Sequence, residues 1–431
     1  MKRSDKINLI TLGCSKNTVD SERLLNQVYA NNMNITDNPN EADTVIINTC
    51  GFIESAKEES INTILNAVAL KKEGKIKKVF VAGCLSKRYK DDLLIEIPEV
   101  DKYFGTEDYS AIINELGGEL KYNLLGERLI STPKHSAYLK ISEGCDHPCS
   151  FCAIPIMRGK HVSKSLDDLV SETKFLALQG TKELILIAQD TTDYGKDIYG
   201  KQSISYLLNK LSEVEGIEWI RLMYAYPSQF PDDLIDVIAT NPKVCKYIDV
   251  PLQHISDNVL KSMRRGVTKK RTIELVKKLK DRIPEIALRT TFIVGYPNES
   301  DKEFKELCDF VEEMKFDRVG TFTFSVEENT TSFILGDPVP EEIKFERKDI
   351  LMEIQKDISL SNNENFLNKE LKVLIDGKEG DYYIGRSYRD APEVDGEVLI
   401  RLNGSKLQAG NFCMAKIYDF NEYDLYAEVI H

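Results

Sequence analysis

The chain has 431 residues, more than one hydrophobic core usually supports, and its apolar (42%) and charged (29%) fractions are ordinary, so two or three globular domains are expected. A formal charge of −13 argues against wholesale nucleic-acid binding and leaves room for a basic protein partner. The start, MKRSDKINLITLG, holds no apolar run of signal-peptide length, no later segment approaches a membrane span, and nine irregularly spaced cysteines suit a reducing compartment; the expectation is a cytoplasmic protein without a membrane partner.

The first segment repeats one idea three times. KINLITLG leads to Cys14, TVIINT to Cys50 and KKVFVAG to Cys84, each run short, rich in Ile or Val, and followed by a polar stretch with helical content. Parallel strands in an open α/β sheet would set these ends along one edge, where ligands bind. Three cysteines about 35 residues apart in sequence would then meet within a few ångströms and form a three-thiolate cluster site; the plainer alternative is small thiols packing at strand ends. Gly13, Gly51 and Gly83 beside them fit a backbone that turns tightly around a bulky group, although a glycine after a strand is common anyway.

Between about residues 120 and 135 the pattern breaks at a charged, Pro-containing stretch, and a second domain starts with the strand YLKIS. The sequence EGCDHPCSFCAIP follows at once, setting Cys145, Cys149 and Cys152 as C-x3-C-x2-C. Three thiolates holding a cubane iron–sulfur cluster leave one iron open for a small molecule. A structural zinc knuckle needs a fourth ligand, and His147 is poorly placed inside the loop beside Pro148; structural thiols are the third option. Beyond the loop, ELILIAQD, WIRLMYAYP, YIDVPLQ, IALRTTFIVGYP and VGTFTFS alternate with amphipathic helices, consistent with a full or partial parallel barrel. Gln189, Asp190, Gln253, His254 and Arg289 sit at or near strand ends and outline a polar mouth, each also explicable as a cap or loop hydrogen bond.

A charged helix, EIKFERKDILMEIQKDISLSNNENF, leads into a third segment. LKVLID, YYIGRS, EVLIRL, FCMAKIYD and LYAEVI predict a small five-stranded barrel near 366–431. Its eight Lys or Arg against twelve Asp or Glu give a net −4, the wrong sign for gripping phosphates. YRDAPEVDGEV places four acids in one loop, suited to steering a basic protein surface or simply to solvation.

Taken together, LGCSKNTVDSE, NTCGFIESAKEES, AGCLSKRY, KISEGCDHPCSFCAIPIMRG, AQDTTDYG, DVPLQHISDNVLKSMRR, RTTFIVGYP and GRSYRDAPEVDG resemble, over essentially the whole chain, the radical S-adenosylmethionine (SAM) methylthiotransferases, and within them the branch acting on a ribosomal protein. The resemblance implies an N-terminal open α/β (Rossmann-like) methylthiotransferase domain over 1–125, a central radical-SAM partial TIM-type barrel over 131–365 and a C-terminal TRAM barrel over 366–431. It implies that Cys145, Cys149 and Cys152 hold a SAM-cleaving [4Fe-4S] cluster and that Cys14, Cys50 and Cys84 hold an auxiliary [4Fe-4S] cluster for sulfur transfer. Gln189, Arg289 and Gly295 are candidate SAM contacts, Gly295 also being readable as a turn glycine; no acid–base catalytic residue is required. The implied activity is β-methylthiolation of an aspartate of small-subunit ribosomal protein twelve, with a flavodoxin- or ferredoxin-like electron donor and a sulfur donor as partners. Two alternatives stand beside it: a tRNA methylthiotransferase acting on a modified adenosine of the anticodon arm, which predicts a basic terminal module, and a non-catalytic iron–sulfur or zinc scaffold. Cys245, Cys308 and Cys413 fall outside every motif and read as core thiols.

Overall fold

The computed structural model describes residues 5–402 and 406–430. Its first domain is a five-stranded, all-parallel sheet in the order Asn34–Ile35, Lys6–Thr11, Thr44–Thr49, Lys78–Gly83, Lys102–Tyr103. Thr44–Thr49 is buried along its whole length, as a central strand covered on both faces must be. Its alternate residues serve two cores. Val45 and Ile47, with Val79 and Val81, pack against Ile64, Ala67 and Val68 of the helix Glu54–Lys72; Ile46, with Ile7, Phe80 and Ala82, packs against Leu24 and Val28 of the helix Ser15–Ala30.

The central domain is a six-stranded parallel sheet, Ser136–Lys140, Glu183–Ile187, Trp219–Leu222, Val244–Asp249, Ala287–Val294 and Arg318–Thr323, adjacent in chain order with helices between them. Its first and last strands do not pair, so the barrel is partial. Its concave side is closed by neighbours: Tyr138, Ile185, Ile187, Met223 and Tyr247 pack in one cluster with Val19 from the first domain and with Leu374 and Ala391 from the third. All three domains therefore meet inside the half-barrel.

The third domain is a closed five-stranded barrel, Glu370–Glu379, Tyr382–Arg386, Val398–Arg401, Leu425–Val429 and Phe412–Phe420, filled by Val373, Ile375, Val398, Ile400, Ala415, Ile417 and Ala427. Closure leaves it no free edge. The helix Glu341–Glu364 joins it to the central sheet.

Candidate metal centres

Cys14, Cys50 and Cys84 follow three neighbouring parallel strands. The register Thr11↔Asn48 and Thr49↔Gly83 brings the three cysteine turns to one edge of the sheet. Glycine is required at two of those turns. Gly13 (φ +87°) leaves room where a Cβ would lie 2.9 Å from Cys50 Sγ, and Gly83 (φ +97°) sits where a Cβ would lie 2.5 Å from the Thr49 carbonyl oxygen. Asn17 ties two of the turns together, its Nδ2 donating to the carbonyls of Leu12 at 2.7 Å and Thr49 at 3.1 Å.

Cys145, Cys149 and Cys152 lie on one loop whose base is pinned by the antiparallel pair Ser142–Glu143 with Val162–Ser163, and by the Cys145 N–H donating to the Gly159 carbonyl at 3.1 Å. Cys149 Sγ accepts from Arg265 Nη1 at 3.3 Å and lies 3.7 Å from the Tyr226 hydroxyl. Tyr226 stacks on His147, with ring centroids 3.6 Å apart, and has the Arg265 guanidinium on its ring. His147 Nε2 is 2.6 Å from Asp190 Oδ2. That ring is thus committed to a stack and a carboxylate, which answers whether it supplies a fourth ligand to the cysteines. Tyr226 and Arg265 were not singled out from the sequence, because they arrive on separate loops, Tyr226 after the strand Trp219–Leu222 and Arg265 between the helices Asp257–Ser262 and Lys269–Arg282.

The sulfurs do not close to the spacing of a single-ion site. Among the described residues, the sets whose ligand atoms lie within 4.8 Å of one another are His147, Asp190 and Asp193, and Asp20, Glu107 and Glu143; neither includes a cysteine. Thiolates that each bind a different iron of a cubane stand wider than those sharing one zinc. Burial pushes the Cys84, Cys145 and Cys152 thiols up to about 12 and raises Cys50. Left alone they would be neutral, and a bound metal is what converts such thiols to thiolates. Three soft thiol donors per set, with glycine clearance at the first, are a donor set that an iron–sulfur group could use.

The two loops touch. Cys84 packs with Ala153 and Met157, which follow the second triad. Arg158, at the end of the helix Ile154–Arg158, reaches back to the first triad's support: Nη2 donates to Asn17 Oδ1 at 2.5 Å, and Nη1 to Asp20 Oδ2 at 3.2 Å and Glu143 Oε1 at 2.8 Å.

Of the three sequence-derived SAM contacts, Gln189 donates to Glu143 Oε1 at 3.0 Å and keeps a buried, unpaired Oε1. Gly295 (φ +75°) turns the chain at the end of its strand, with the Lys344 side chain where a Cβ would be, so turn geometry and packing account for it. Arg289 corrects the reading that placed it near a strand's carboxyl end. It is the third residue of Ala287–Val294, and Asp249 Oδ1 at 2.9 Å and Asp395 Oδ1 at 3.4 Å hold its guanidinium.

The loop at 387–397 also departs from the expected free acidic surface. Asp390 pairs with Arg318 at 2.8 Å, Asp395 with Arg289, and the neighbouring Arg389 with Asp317 at 2.7 Å. Half of the loop's acids are spent docking the terminal barrel onto the central sheet. Glu393 and Glu397 remain on a cleft of about 990 Å³ between the two domains, with Asp349, Glu353, Glu422 and Asp424.

Comparison with known proteins completes the site's context. Residues 6–105 match the uncharacterized protein family UPF0004, 139–311 the radical SAM superfamily and 369–430 the TRAM domain. The chain is 53% identical over 430 residues to the ribosomal protein uS12 methylthiotransferase RimO of Cytophaga hutchinsonii, covering 99% of this chain and 98% of that one. It is 48% identical over 435 residues to the protein of the same name from Bacteroides thetaiotaomicron, covering 100% and 99%. Among solved structures, the radical SAM methyltransferase TsrM of Kitasatospora setae, with tryptophan and a SAM analogue bound, superposes with a TM-score of 0.59 at 14% identity, over 77% of this chain and 75% of that one. The cobalamin-dependent radical SAM enzyme OxsB gives 0.53 at 12%, over 81% and 56%. At such identities the structural likeness speaks for the fold alone.

Proposed function

This chain belongs to the RimO family of ribosomal protein uS12 methylthiotransferases, and from that premise we propose how its residues divide the reaction on uS12. It is an iron–sulfur, SAM-dependent enzyme; the finer reading is one [4Fe-4S] cluster at each triad and the β-carbon of a uS12 aspartate as the modified position. Bound there, the two clusters would supply reductive cleavage of SAM to a hydrogen-abstracting radical at Cys145, Cys149 and Cys152, and the sulfur that replaces the abstracted hydrogen at Cys14, Cys50 and Cys84. The observation that carries this division is the contact between the two cysteine loops at Cys84, Ala153 and Met157. A sulfur-transfer site must share a chamber with the radical that activates its acceptor.

The chain's own residues prepare that chamber. Arg265 and the Tyr226 hydroxyl face Cys149, and the stacked His147 fixes the loop's shape. Gln189 would accept from the cofactor's ammonium through its unpaired Oε1, while Gly295 serves the turn that ends its own strand. Arg289 is better suited to walling the cleft than to touching SAM. Val19, Leu374 and Ala391 pack against the half-barrel's apolar residues and exclude water from that face. The acidic cleft against the terminal barrel suits a basic protein more than RNA. No helix among the described residues is long and apolar enough to cross a membrane. The setting is cytoplasmic, where a flavodoxin- or ferredoxin-like donor and a sulfur donor are at hand, and the three units act as segments 1–125, 131–365 and 366–431.

The test is mass spectrometry after anaerobic incubation of cluster-loaded enzyme with SAM, sulfide, reductant and either uS12 or an anticodon-arm RNA. A methylthio gain on a uS12 aspartate is expected. Gain on the RNA alone would overturn the reading.

A further inference from the structure

Lys16 stands out among the buried charges. It is the second residue of the helix Ser15–Ala30, two positions past Cys14, and only 8% exposed. Every other buried Lys or Arg among the described residues has a carboxylate within ion-pair reach, except Arg265, which donates to Cys149. Lys16 has none. Its one recorded contact is the face of Tyr224, with Nζ 3.2 Å from the ring centroid.

A structural purpose does not explain this cation. A lysine in a helix's first turn faces the positive end of the helix dipole, and that turn carries no acidic residue to offset it. Burying an ammonium against a ring recovers less than a carboxylate would. Next to it, Ser15 Oγ is buried with no partner. Two adjacent side chains on one helical turn thus keep unfilled capacity for an anion.

Their position says which anion. Lys16 leaves the first triad's helix and ends over Tyr224, on the loop that follows the central strand Trp219–Leu222; two residues on, Tyr226 lies against Cys149 and His147 of the second triad. Tyr224 is held there at φ +60°, its N–H donating to Asp249 Oδ2 at 3.2 Å. The ammonium therefore sits between the sulfur-supplying and radical-forming cysteines, where the substrate carbon has to lie. In the reading above, that carbon is bonded to a carboxyl group.

We propose that Lys16 is the specificity-determining residue for the substrate, its ammonium pairing with the side-chain carboxylate of the uS12 aspartate and setting the β-carbon between the two triads. The assignment rests on the function proposed above and goes beyond it in naming the group that selects an aspartate. Ser15 Oγ would donate to the same carboxylate, and Tyr224 would hold the lysine until substrate arrives.

The test uses the full chain with its iron–sulfur groups loaded, as wild type, Lys16→Met and Lys16→Arg, with equal iron content confirmed for each. The substrates are uS12 and a uS12 variant whose modified aspartate, located on the wild-type product, is replaced by asparagine. Lys16→Met, which keeps the stem over Tyr224, should lower kcat/KM for uS12 by about 100-fold or more, and Lys16→Arg should recover at least about a tenth of it. Equilibrium binding gives a readout apart from turnover: wild type should bind uS12 about tenfold or more tightly than the asparagine variant, and Lys16→Met should not tell them apart. Unchanged turnover in Lys16→Met, or undiminished discrimination, would overturn the assignment. So would a tenfold rise in KM for SAM with uS12 binding intact, which would place the lysine on the cofactor's carboxylate. Failure of wild type to modify any uS12 aspartate is a separate result that removes the functional reading itself, and this assignment with it.

Discussion

The two cysteine triads are built in opposite ways. Cys145, Cys149 and Cys152 sit on one loop, and a local backbone hydrogen bond from Cys145 to Gly159 closes it. Cys14, Cys50 and Cys84 come from three turns that only the assembled parallel sheet brings together, at glycines whose missing side chains make the approach possible. The first triad is therefore as stable as its domain, whereas the second lies on one loop that its neighbours brace, at Cys149 by Arg265 and Tyr226. Arg158 crosses the divide: its chain belongs to the second loop and its charge to the support of the first.

Substituting ligands should break the comparison most sharply. Cys149→Ala should abolish SAM cleavage and product formation, with loss of about half the iron, since a three-thiolate site tolerates no missing ligand. Cys50→Ala should also lose about half the iron and all methylthiolated product, yet keep SAM cleavage. Anaerobic 5'-deoxyadenosine and product assays separate the two variants, and methylthiolated product from Cys50→Ala would remove the sulfur-transfer role proposed for the first triad.

Gly83→Ala tests the dependence on assembly. A Cβ there meets the Thr49 carbonyl at 2.5 Å on a backbone with φ +97°, so the strand end must shift. The expected result is a destabilisation of about 1–3 kcal/mol and selective loss of iron from the first triad. Thermal melting and iron quantitation check it; full iron content with an unchanged melt would contradict the geometry.

Arg158→Gln should weaken the link between the loops. Its removal leaves Asp20 and Glu143 with one cation fewer, although Lys140 still pairs with both. We expect methylthiolation to fall about tenfold, at a stability cost nearer about 1–2 kcal/mol than the full penalty of breaking a buried pair. An increased ratio of 5'-deoxyadenosine to product would show uncoupling between the triads, and an unaltered ratio would deny the bridge.

Acid should discriminate between the two constructions more gently. Burial alone would raise Asp20 and Glu172, but Lys140 and Arg158 hold Asp20, and Lys164, Arg23 and Arg128 hold Glu172, down to about 2. Both lie where the helix Ser15–Ala30 meets the central domain, Glu172 through its bond from Arg23. A depressed carboxylate stabilises the fold fully above its ordinary value, so this contribution is present above about pH 4.5 and is lost as pH falls toward 2. Hydrogen exchange across that range should show this helix, with the Arg158 end of the neighbouring loop, loosening before the cysteine segment 145–152, which backbone bonds close. Simultaneous loosening would count against the difference in construction.

Much of this was legible in the sequence for a physical reason. Buried parallel strands need short, continuous apolar runs, so TVIINT and KKVFVAG announced their strands and placed Cys50 and Cys84 at the ends. The C-x3-C-x2-C loop carried its own geometry. The five strands of the terminal barrel showed alternation and turns. Less visible was the fate of charge. YRDAPEVDGEV reads as an acidic loop, yet Asp390 and Asp395 face Arg318 and Arg289 from strands 70 and more residues away. Arg289 looked like a strand-end residue and proved to be a wall of the interdomain cleft.

By itself the sequence determined the elements, the order of the three units and the two sets of thiols, because local periodicity and ligand spacing are properties of short stretches. Only the tertiary structure decided which charges are spent on holding the domains together and which one is left over. An ion pair's partner is chosen by packing in three dimensions, so nothing local in LGCSKN marks Lys16 as a buried cation with no acid beside it among the described residues.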